Sequence, residues 1–463
     1  MLTYNLDNRG NLARYDYLYR CIKEDILSGR LAQGEKLPSK RMLARHLETA
    51  IVTVENAYAQ LLAEGYLVSE EKRGYYVGSV EVERQRNKCF KEETAPVEEK
   101  ETWLLDLKSG GSGTEGFPFS VWARLMRKVL TDRGEDLLRS MPHNGVLELR
   151  QAIARHLYQF RGIAAKPEQI VVGAGTEYLY NLIVQLLGQG ALYGVEDPGY
   201  SKAAQVYELN GARCSYLSVD RQGIRLEQVA DSGVQVLHVS PNHQFPTGTV
   251  MPIGRRQSLL RWANDGEDRY IIEDDYDSEF RFTGRPIPTM SSIDGGKHVI
   301  YMNTFSRSLA PSLRISYMVL PQPLLRRYRE RLGFYSCTVP AMEQYTLARF
   351  LEERHFESHV NRMRVFYRSR RDAVLEAIAH SPMGGRCQVF GEDAGLHFLL
   401  ELDTEKGDRE LSALAEKRGI RLSFLSEYRR TGDGDSHTLV VNYPGVDLEH
   451  LELALGQLAE LIK

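Results

Sequence analysis

The first 78 residues alternate apolar and polar positions in a pattern that predicts three helices followed by two strands. Gly29 and Gly65 end the first and third helices, and Ser39 is expected to cap the second. Two strand-like runs, 66–68 and 75–77, flank a polar turn. Apolar residues recur three and four positions apart along the helices, at Tyr15, Tyr19, Ile22 and Ile26; Met42, Leu43 and Leu47; and Val54, Ala57, Tyr58, Leu61 and Leu62. Three helices and a hairpin make a winged helix.

From residue 103 onward, short apolar runs alternate with helical stretches, which predicts an α/β domain with a mostly parallel sheet. The runs are QIVVGAG at 169, ALYGVEDPGY at 191, VQVLHVSP at 234, RYIIEDDYD at 269, HVIYMNTFS at 298 and LRISYMVLP at 313. Two later runs, GLHFLLEL at 395 and TLVVNYPG at 438, predict a second, smaller α/β unit at the C-terminal end.

Residues 81–101 carry 12 charges in 21 positions and too few large apolar side chains to offset the entropy of ordering them. We interpret this segment as a solvated linker, with a charged surface helix as the alternative. The predicted organisation is therefore a winged-helix head (10–80), a linker (81–102) and a large body (103–463).

The composition, with 42% hydrophobic and 26% charged residues among 463, is typical of a soluble folded protein. No apolar stretch is long enough for a membrane span, and the N-terminus lacks a signal-peptide pattern. The five scattered cysteines favour a reduced, cytoplasmic chain without a metal cluster. The net charge is -3, and residues 1–80 hold 11 Lys and Arg against 10 Asp and Glu. Any DNA-binding face must therefore arise from the placement of charge.

In a winged helix the start of the third helix enters the major groove, while the preceding turn and the hairpin contact phosphates. We therefore expect Thr49, Thr53 and Asn56 to contact base edges. The residues expected to contact the DNA backbone are Ser39, Lys40, Arg41, Lys72 and Arg73.

The stretch GRLAQGEKLPSKRMLARHLETAIVTVENAYAQLLAEGYLVSEEKRGYYV resembles the GntR family of bacterial regulators, and the likeness covers nearly all of residues 12–78. The family commonly has Ser-Arg shortly before the Thr-Val pair, where this chain has Ala50 and Ile51. An arginine that would contact DNA is therefore missing, which leaves the operator sequence open. A winged helix that mediates only protein contacts is the alternative.

Three segments of the body carry candidate ligand chemistry. Residues 173–177, GAGTE, join a strand to a helix, and such a glycine turn presents backbone N–H groups to a phosphate. Residues 273–277, EDDYD, place carboxylates at a strand end, where one could pair with a protonated ring nitrogen. A metal site or a solvated strand end would explain the acidic segment equally well. Residues 304–308, TFSRS, with Pro311 and Arg314, cluster hydroxyls, including that of Ser306, with cations suited to phosphate.

In this order the three segments resemble fold-type-I aminotransferases, which bind pyridoxal phosphate. The whole chain, from about residue 10 to its end, is similar to the MocR-type subfamily of GntR regulators, in which a winged helix is fused to such a domain. Further strings that carry the likeness are GFPFSVWARLMRKVL, NGVLELRQAIARHL, EDPGY, HQFPTG and APSLRISYMVLP. The resemblance implies an α/β fold-type-I body with a smaller C-terminal subdomain.

The resemblance also assigns roles within the pocket. It implies that Asp274 pairs with the pyridine nitrogen, that Tyr276 bonds the ring hydroxyl and that Tyr200 packs against the ring. Lys202 could meet the carboxylate of an effector, while the roles of Asn242 and His243 stay open. The implied phosphate-binding positions are Gly175, Thr176, Thr304 and Arg314, with Ser306 in the same motif.

Arg307 departs from the family motif, which has a lysine here whose amine forms a Schiff base with the cofactor. A guanidinium stays protonated at neutral pH and is not a nucleophile of this kind. Three explanations are open. The chain has naturally abandoned covalent cofactor chemistry, it still binds the cofactor without a covalent bond (which overlaps with the first), or the residue is engineered or a sequence error. Neither Lys202 nor Lys297 is an obvious replacement.

The resemblance favours a cytoplasmic regulator that binds double-stranded DNA as a homodimer and senses pyridoxal phosphate, or an amino acid or amine reacting with it. An active aminotransferase with a regulatory head is one alternative, although Arg307 argues against catalysis. A structural DNA-binding dimer whose body has lost its ligand is another.

Overall fold

The computed structural model describes residues 2–10, 12–70, 73–79, 103–108, 116–282, 287–393, 395–432 and 434–463. Residues 1–100 and 101–463 form two separate compact units, here called the head and the body. The proposed linker, 81–102, lies outside the described residues. None of the described helices is both long and apolar enough to cross a lipid bilayer.

The head contains three helices and a three-stranded antiparallel sheet. The helices are α1 (Arg14–Leu27), α2 (Lys40–His46) and α3 (Ile51–Ala63). The strands are β1 (Lys36–Leu37), β2 (Leu67–Glu70) and β3 (Gly74–Val77), in the spatial order β1-β3-β2. The predicted winged-helix arrangement is thus confirmed. The pattern missed β1, because two residues are too few to show an alternation.

Apolar periodicity places the core of the head correctly, with two exceptions. The buried residues of α1 include Leu18, Tyr19, Ile22 and Ile26, whereas Tyr15 in the first turn is 40% exposed. Met42 of α2 is also exposed. Ser39 caps α2 as predicted, and its hydroxyl accepts the N–H of Met42 at 3.3 Å.

The body is built around an eight-stranded sheet with the spatial order β5-β12-β11-β10-β9-β6-β7-β8. The strands are β5 (Ile170–Gly173), β6 (Leu192–Asp197), β7 (Arg213–Asp220), β8 (Gly223–Ile224), β9 (Val236–Val239), β10 (Tyr270–Asp274), β11 (Val299–Thr304) and β12 (Ser316–Val319). The central strands pair in parallel, while β12 runs antiparallel to β11 and β5, and β8 runs antiparallel to β7. The predicted mostly parallel sheet is confirmed.

Helices pack around this sheet, and apolar side chains on both of its faces form extended buried clusters. In chain order the helices are α4 (Phe119–Arg133), α5 (Leu147–Arg161), α6 (Thr176–Leu187), α7 (Ser201–Leu209), α8 (Leu226–Asp231), α9 (Ile253–Asn264), α10 (Met290–Asp294), α11 (Phe305–Ser308), α12 (Gln322–Leu332), α13 (Ala341–Glu352) and α14 (His355–His380).

The C-terminal part folds around its own small antiparallel sheet, ordered β13-β14-β16, with its own apolar cluster. Its elements are β13 (Cys387–Phe390), β14 (Phe398–Leu402), α15 (Asp408–Glu416), β15 (Ile420–Arg421), β16 (Thr438–Val441) and α16 (Leu451–Leu461). This confirms the predicted smaller unit. Sequence alone did not show that β4 (Leu105–Asp106) pairs with β15, more than 300 positions later.

Candidate functional site

A cavity of about 340 Å³ opens at one edge of the large sheet, where β6, β9, β10 and β11 end. The segment that enters the antiparallel strand β12 reaches the same edge and brings Arg314. In α/β sheets, ligands bind at this carboxyl edge of the strands. The residues that line the cavity are Thr176, Glu177, Tyr180, Tyr200, Lys202, Ser240, Phe245, Asp274, Tyr276, Thr304, Ser306, Arg307, Pro311 and Arg314.

Asp274 is the carboxylate of the acidic segment 273–277 that lines this cavity. It is 6% exposed, and its Oδ2 accepts the hydroxyl of Tyr180 at 2.7 Å and lies 3.4 Å from His238 Nε2. Its other oxygen, Oδ1, is buried without a hydrogen-bond partner among the described residues. A buried carboxylate oxygen in that state suits a ligand N–H that would bond to it.

The other three carboxylates of this segment are engaged inside the protein. Glu273 accepts two backbone N–H groups from the start of α10 at 2.8 Å, and Asp277 meets His243 Nδ1 at 2.8 Å. Asp275 lies 2.6 Å from Arg161 and accepts the hydroxyl of Tyr301. These three carboxylates thus bond to groups within the protein, whereas Oδ1 of Asp274 has no hydrogen-bond partner among the described residues.

The glycine turn before α6 lies beside Arg314. Gly175 has a φ of +95°, and a Cβ added there would lie 2.2 Å from an Nη atom of Arg314. Arg314 itself has a left-handed backbone and pairs with Glu177 at 2.7 Å. The N-terminus of α6, with Thr176 as its first residue, therefore lies beside a guanidinium that packs directly against Gly175. This combination suits an anion.

The segment after β11 contributes three predicted residues, which differ in what they offer a ligand. Ser306 and Arg307 line the cavity. Thr304 also lines it, but its hydroxyl caps α11 by accepting the N–H of Ser306 at 3.1 Å, and it accepts the hydroxyl of Ser316 at 2.8 Å. Its hydroxyl therefore has a structural role in this conformation.

Two tyrosines occupy the sides of the cavity. Tyr200, 39% exposed, stands edge-on to Phe245 with ring centres 6.1 Å apart. Burial and the neighbouring Glu177 raise the pKa of Tyr200 to about 12, and the positive charge of Arg307 opposes that rise. The hydroxyl of Tyr276 lies 3.2 Å from His243 Nδ1. Both phenols are therefore protonated at neutral pH and able to donate hydrogen bonds.

Of the remaining candidates, Lys202 lines the cavity and Asn242 does not. Asn242 donates to Asp275 and accepts from the buried guanidinium of Arg256 at 2.9 Å. Lys202 is exposed in the first turn of α7. The sequence missed Tyr180 and Phe245, since Tyr180 fits the apolar period of α6 and the single letter gives no sign that it bonds Asp274.

Glu196, the last residue but one of β6, is a half-buried acid close to the cavity, with one carboxylate oxygen fully buried. Its Oε2 accepts the N–H of Ser240 at 3.2 Å, and its Oε1 is buried without a partner among the described residues. Burial raises the pKa of Glu196 to about 8. A pKa raised this far favours the protonated form at neutral pH.

We expect Glu196→Gln to flatten part of the pH dependence of unfolding. Because the pKa is raised in the folded state, the stability contributed by this group is complete below its usual pKa and is lost as pH rises towards about 8. Thermal unfolding followed by circular dichroism should show the midpoint of the variant rising relative to the unmodified protein by roughly 2 to 6 °C between pH 5 and pH 8. Glu227→Gln, at an exposed position, serves as control. If the unfolding midpoint changed equally with pH in the unmodified protein and both variants, the raised pKa of Glu196 would be contradicted.

In the head, the predicted DNA-contacting residues lie on or next to α2, α3 and the hairpin, with Thr49 in the turn between α2 and α3. Asn56 is exposed and Thr53 half-buried, whereas the Thr49 hydroxyl is buried without a partner among the described residues. Lys40 pairs with Glu55 at 2.7 Å, Arg41 is exposed, and Arg73 pairs with Glu70 at 3.4 Å. Lys72 lies outside the described residues.

Metal-ligating side chains show no comparable arrangement. In the described part of the chain, no group of three or more His, Cys, Asp and Glu residues is placed to hold a metal ion.

Comparison with known families matches both units. The family of gntR bacterial regulatory proteins matches residues 14–77, and the class I and II aminotransferase family matches residues 105–458. The second match alone covers more than half of the chain.

Individual proteins show the same combination. YdeL of Bacillus subtilis, an HTH-type transcriptional regulator, is 40% identical over 92% of each chain. PdxR of Corynebacterium glutamicum, an HTH-type pyridoxine biosynthesis transcriptional regulator, is 30% identical over 95% of this chain and 94% of its own. The crystal structure of a multiple substrate aminotransferase from Thermococcus profundus superimposes with a TM-score of 0.70 and 26% identity, covering 79% of this chain and 92% of that one.

Proposed function

Because this chain belongs to the MocR-type regulators of the GntR family, with a helix-turn-helix domain joined to a class I and II aminotransferase domain, we propose that its body is a sensor of pyridoxal phosphate. The cofactor would be held without a covalent bond, either alone or already joined to an amino acid or amine. The observation that carries the proposal is Oδ1 of Asp274, which is buried without a partner among the described residues, in a cavity that Arg307 also lines.

The residues present fit the phosphorylated ring. Asp274 would hold a proton on the ring nitrogen, because its Oδ1 is buried and otherwise lacks a hydrogen-bond partner among the described residues. Gly175, Thr176 and Arg314 would bind the phosphate, since the glycine lets the guanidinium approach the helix N-terminus and both favour a negative charge. Tyr200 would pack beside the ring.

When bound, pyridoxal phosphate supplies an electron sink and an aldehyde that reacts with amines. This chain's own residues would bind and orient it, but Arg307 supplies neither the amine nucleophile nor the proton-transferring base that an aminotransferase needs. The proposal therefore assigns no transaminase activity to the body. The runner-up, an active aminotransferase, would require another amine to take that part, and Lys202 is the lysine that lines the cavity.

The head would bind a double-stranded DNA operator, and the ligand state of the body would set the affinity. A homodimer in the cytoplasm fits this proposal, because paired heads suit repeated half-sites. Exposed aromatic side chains on the body are available for such an interface, among them Phe119 at 70% and Phe334 at 78% exposure.

We expect Gly175→Ala to weaken pyridoxal phosphate binding by about tenfold. A methyl group there would lie 2.2 Å from Arg314 and would displace its guanidinium from its place beside the start of α6, besides straining a backbone with a φ of +95°. Gly188→Ala is a matched control, because Gly188 ends the same helix with a φ of +104° and open space around it. Fluorescence titration with pyridoxal phosphate checks this, and equal losses in both variants would show that backbone strain alone is responsible.

The proposal as a whole is tested by whether the ligand changes DNA binding. The full-length chain would be used to select duplexes from a random-sequence library, and their affinity measured by fluorescence anisotropy with and without pyridoxal phosphate. We expect the ligand to shift the midpoint of the binding curve, and the Gly175→Ala variant to require more ligand for the same shift. A midpoint that ignores the ligand at saturating concentration would contradict the sensor proposal.

A further inference from the structure

Two large aliphatic residues are exposed at the start of α3, the helix that a winged helix presents to bases. Ile51 is 47% and Val52 is 62% exposed. Neither belongs to the core of the head, which α3 contacts through the fully buried Val54, Ala57 and Tyr58 on its other side. The fold therefore does not need Ile51 and Val52 for its own packing.

The surroundings of these two residues define what could cover them. One turn further along the same face stand Glu55 and Asn56, both exposed. Lys40 Nζ pairs with Glu55 at 2.7 Å, so the start of α2 lies beside this face. The acidic residue on the face is thereby neutralised by its own neighbour.

The head also carries basic side chains on α2 and in the hairpin turn. Lys40 Nζ also lies 5.6 Å from the ring centre of Tyr75, which brings β3 to the same place as α2 and α3. Arg41 and Arg45 are exposed on α2, and the side chain of Arg73 in the hairpin turn is 77% exposed. Exposed cations in the same unit are complementary to the phosphates that border a DNA groove.

We propose that Ile51 and Val52 read thymine through its 5-methyl group in the major groove of the operator. This inference rests on the proposed DNA-binding function. Isoleucine and valine side chains have no hydrogen-bonding atoms, so they cannot read the donors and acceptors of a base edge. The one apolar group that a standard base presents in the major groove is the methyl group of thymine. Since these two residues precede the predicted base-contacting residues Thr53 and Asn56, they define a thymine preference within the half-site.

The test replaces thymine by deoxyuridine, which removes the methyl group and keeps the base pair. A duplex selected by the full-length chain from a random library is synthesised with each thymine replaced in turn, and its dissociation constant is measured by fluorescence anisotropy. We expect one or two positions at which the unmodified protein loses about fourfold in affinity per methyl group. The Ile51→Ala, Val52→Ala double variant should bind the thymine duplex more weakly than the unmodified protein does. Its affinities for the thymine and the deoxyuridine duplexes should be equal.

Val68→Ala is the matched control, because Val68 is a 51% exposed aliphatic residue of β2 in the same head. It should keep the discrimination of the unmodified protein. Both substitutions in α3 are at exposed positions and raise helix propensity, so a folded double variant is expected by circular dichroism. Equal affinity of the unmodified protein for thymine and deoxyuridine duplexes would overturn the inference, as would a double variant that keeps the discrimination.

A double variant that changes only the association of the chains with one another would show a protein contact and would also overturn the inference. Failure to select any duplex would overturn the proposed DNA binding itself. The two failures are distinguishable, because the second leaves no operator on which methyl discrimination could be measured.

Discussion

Asp274→Asn should reduce the affinity for pyridoxal phosphate by roughly 10- to 100-fold, the range expected when a charged hydrogen bond in a buried site is lost. The carboxylate lies at the end of β10, 6% exposed, with one oxygen bonded to Tyr180 and the other without a partner among the described residues. Asparagine keeps the shape and can still accept the Tyr180 hydroxyl, but it cannot stabilise a protonated ring nitrogen by its charge.

The matched control is Asp220→Asn, at the end of strand β7 of the same sheet, where the carboxylate pairs with Arg255 at 2.7 Å and does not line the cavity. Isothermal titration calorimetry of the three proteins with pyridoxal phosphate gives the affinities, and circular dichroism verifies folding. An Asp274→Asn variant that binds as tightly as the unmodified protein would remove the assigned role of this carboxylate.

Arg307→Lys should convert the pocket from non-covalent to covalent binding. The position lines the cavity, and a lysine there would present an amine that, unlike a guanidinium, reacts with the aldehyde of pyridoxal phosphate. After borohydride treatment and unfolding, we expect the variant to retain close to one cofactor per chain, measured by the increase in mass.

Arg314→Lys is the control for this gain, since it places a lysine in the same cavity at a position that we propose binds the phosphate. It should weaken binding without covalent retention. Equal retention in both variants would mean that any lysine in the cavity suffices and that position 307 has no special geometry. Absence of retention in Arg307→Lys would mean that its side chain does not reach the bound aldehyde.

The periodic parts of the fold were predictable because local patterns determine them. The face of α1 with Tyr19, Ile22 and Ile26 and the alternation of strands and helices in the body follow from the apolar period. The strands β1, β4 and β15 have two residues each, and their pairing depends on distant partners, so no local pattern reveals them. Tyr15 matched the period but lies at the edge of the core.

The candidate site was predictable where a motif fixes the position of a side chain relative to a strand end. Asp274, Thr176, Arg307 and Arg314 follow from such motifs, and the structure places them around one cavity. The hydrogen bonding of Thr304 was not predictable, since its hydroxyl caps α11 and accepts from Ser316, twelve positions later.

Which carboxylate of segment 273–277 faces the cavity could not be read from spacing alone. Four acidic residues within five positions look alike in sequence, and tertiary contacts separate them. Glu273 accepts two backbone N–H groups, Asp275 meets Arg161 at 2.6 Å, and Asp277 meets His243. The resemblance to the aminotransferase family, not the charge pattern, supplied the choice of Asp274.

The central proposal is that the unmodified pocket binds pyridoxal phosphate without a covalent bond. The most direct measurement is an absorbance titration of the full-length protein with pyridoxal phosphate, followed by borohydride treatment, unfolding and mass analysis. We expect saturable spectral changes and, after unfolding, a protein chain whose mass is unmodified. A mass increase that maps to Lys202 or another lysine, or no saturable change at all, would contradict it.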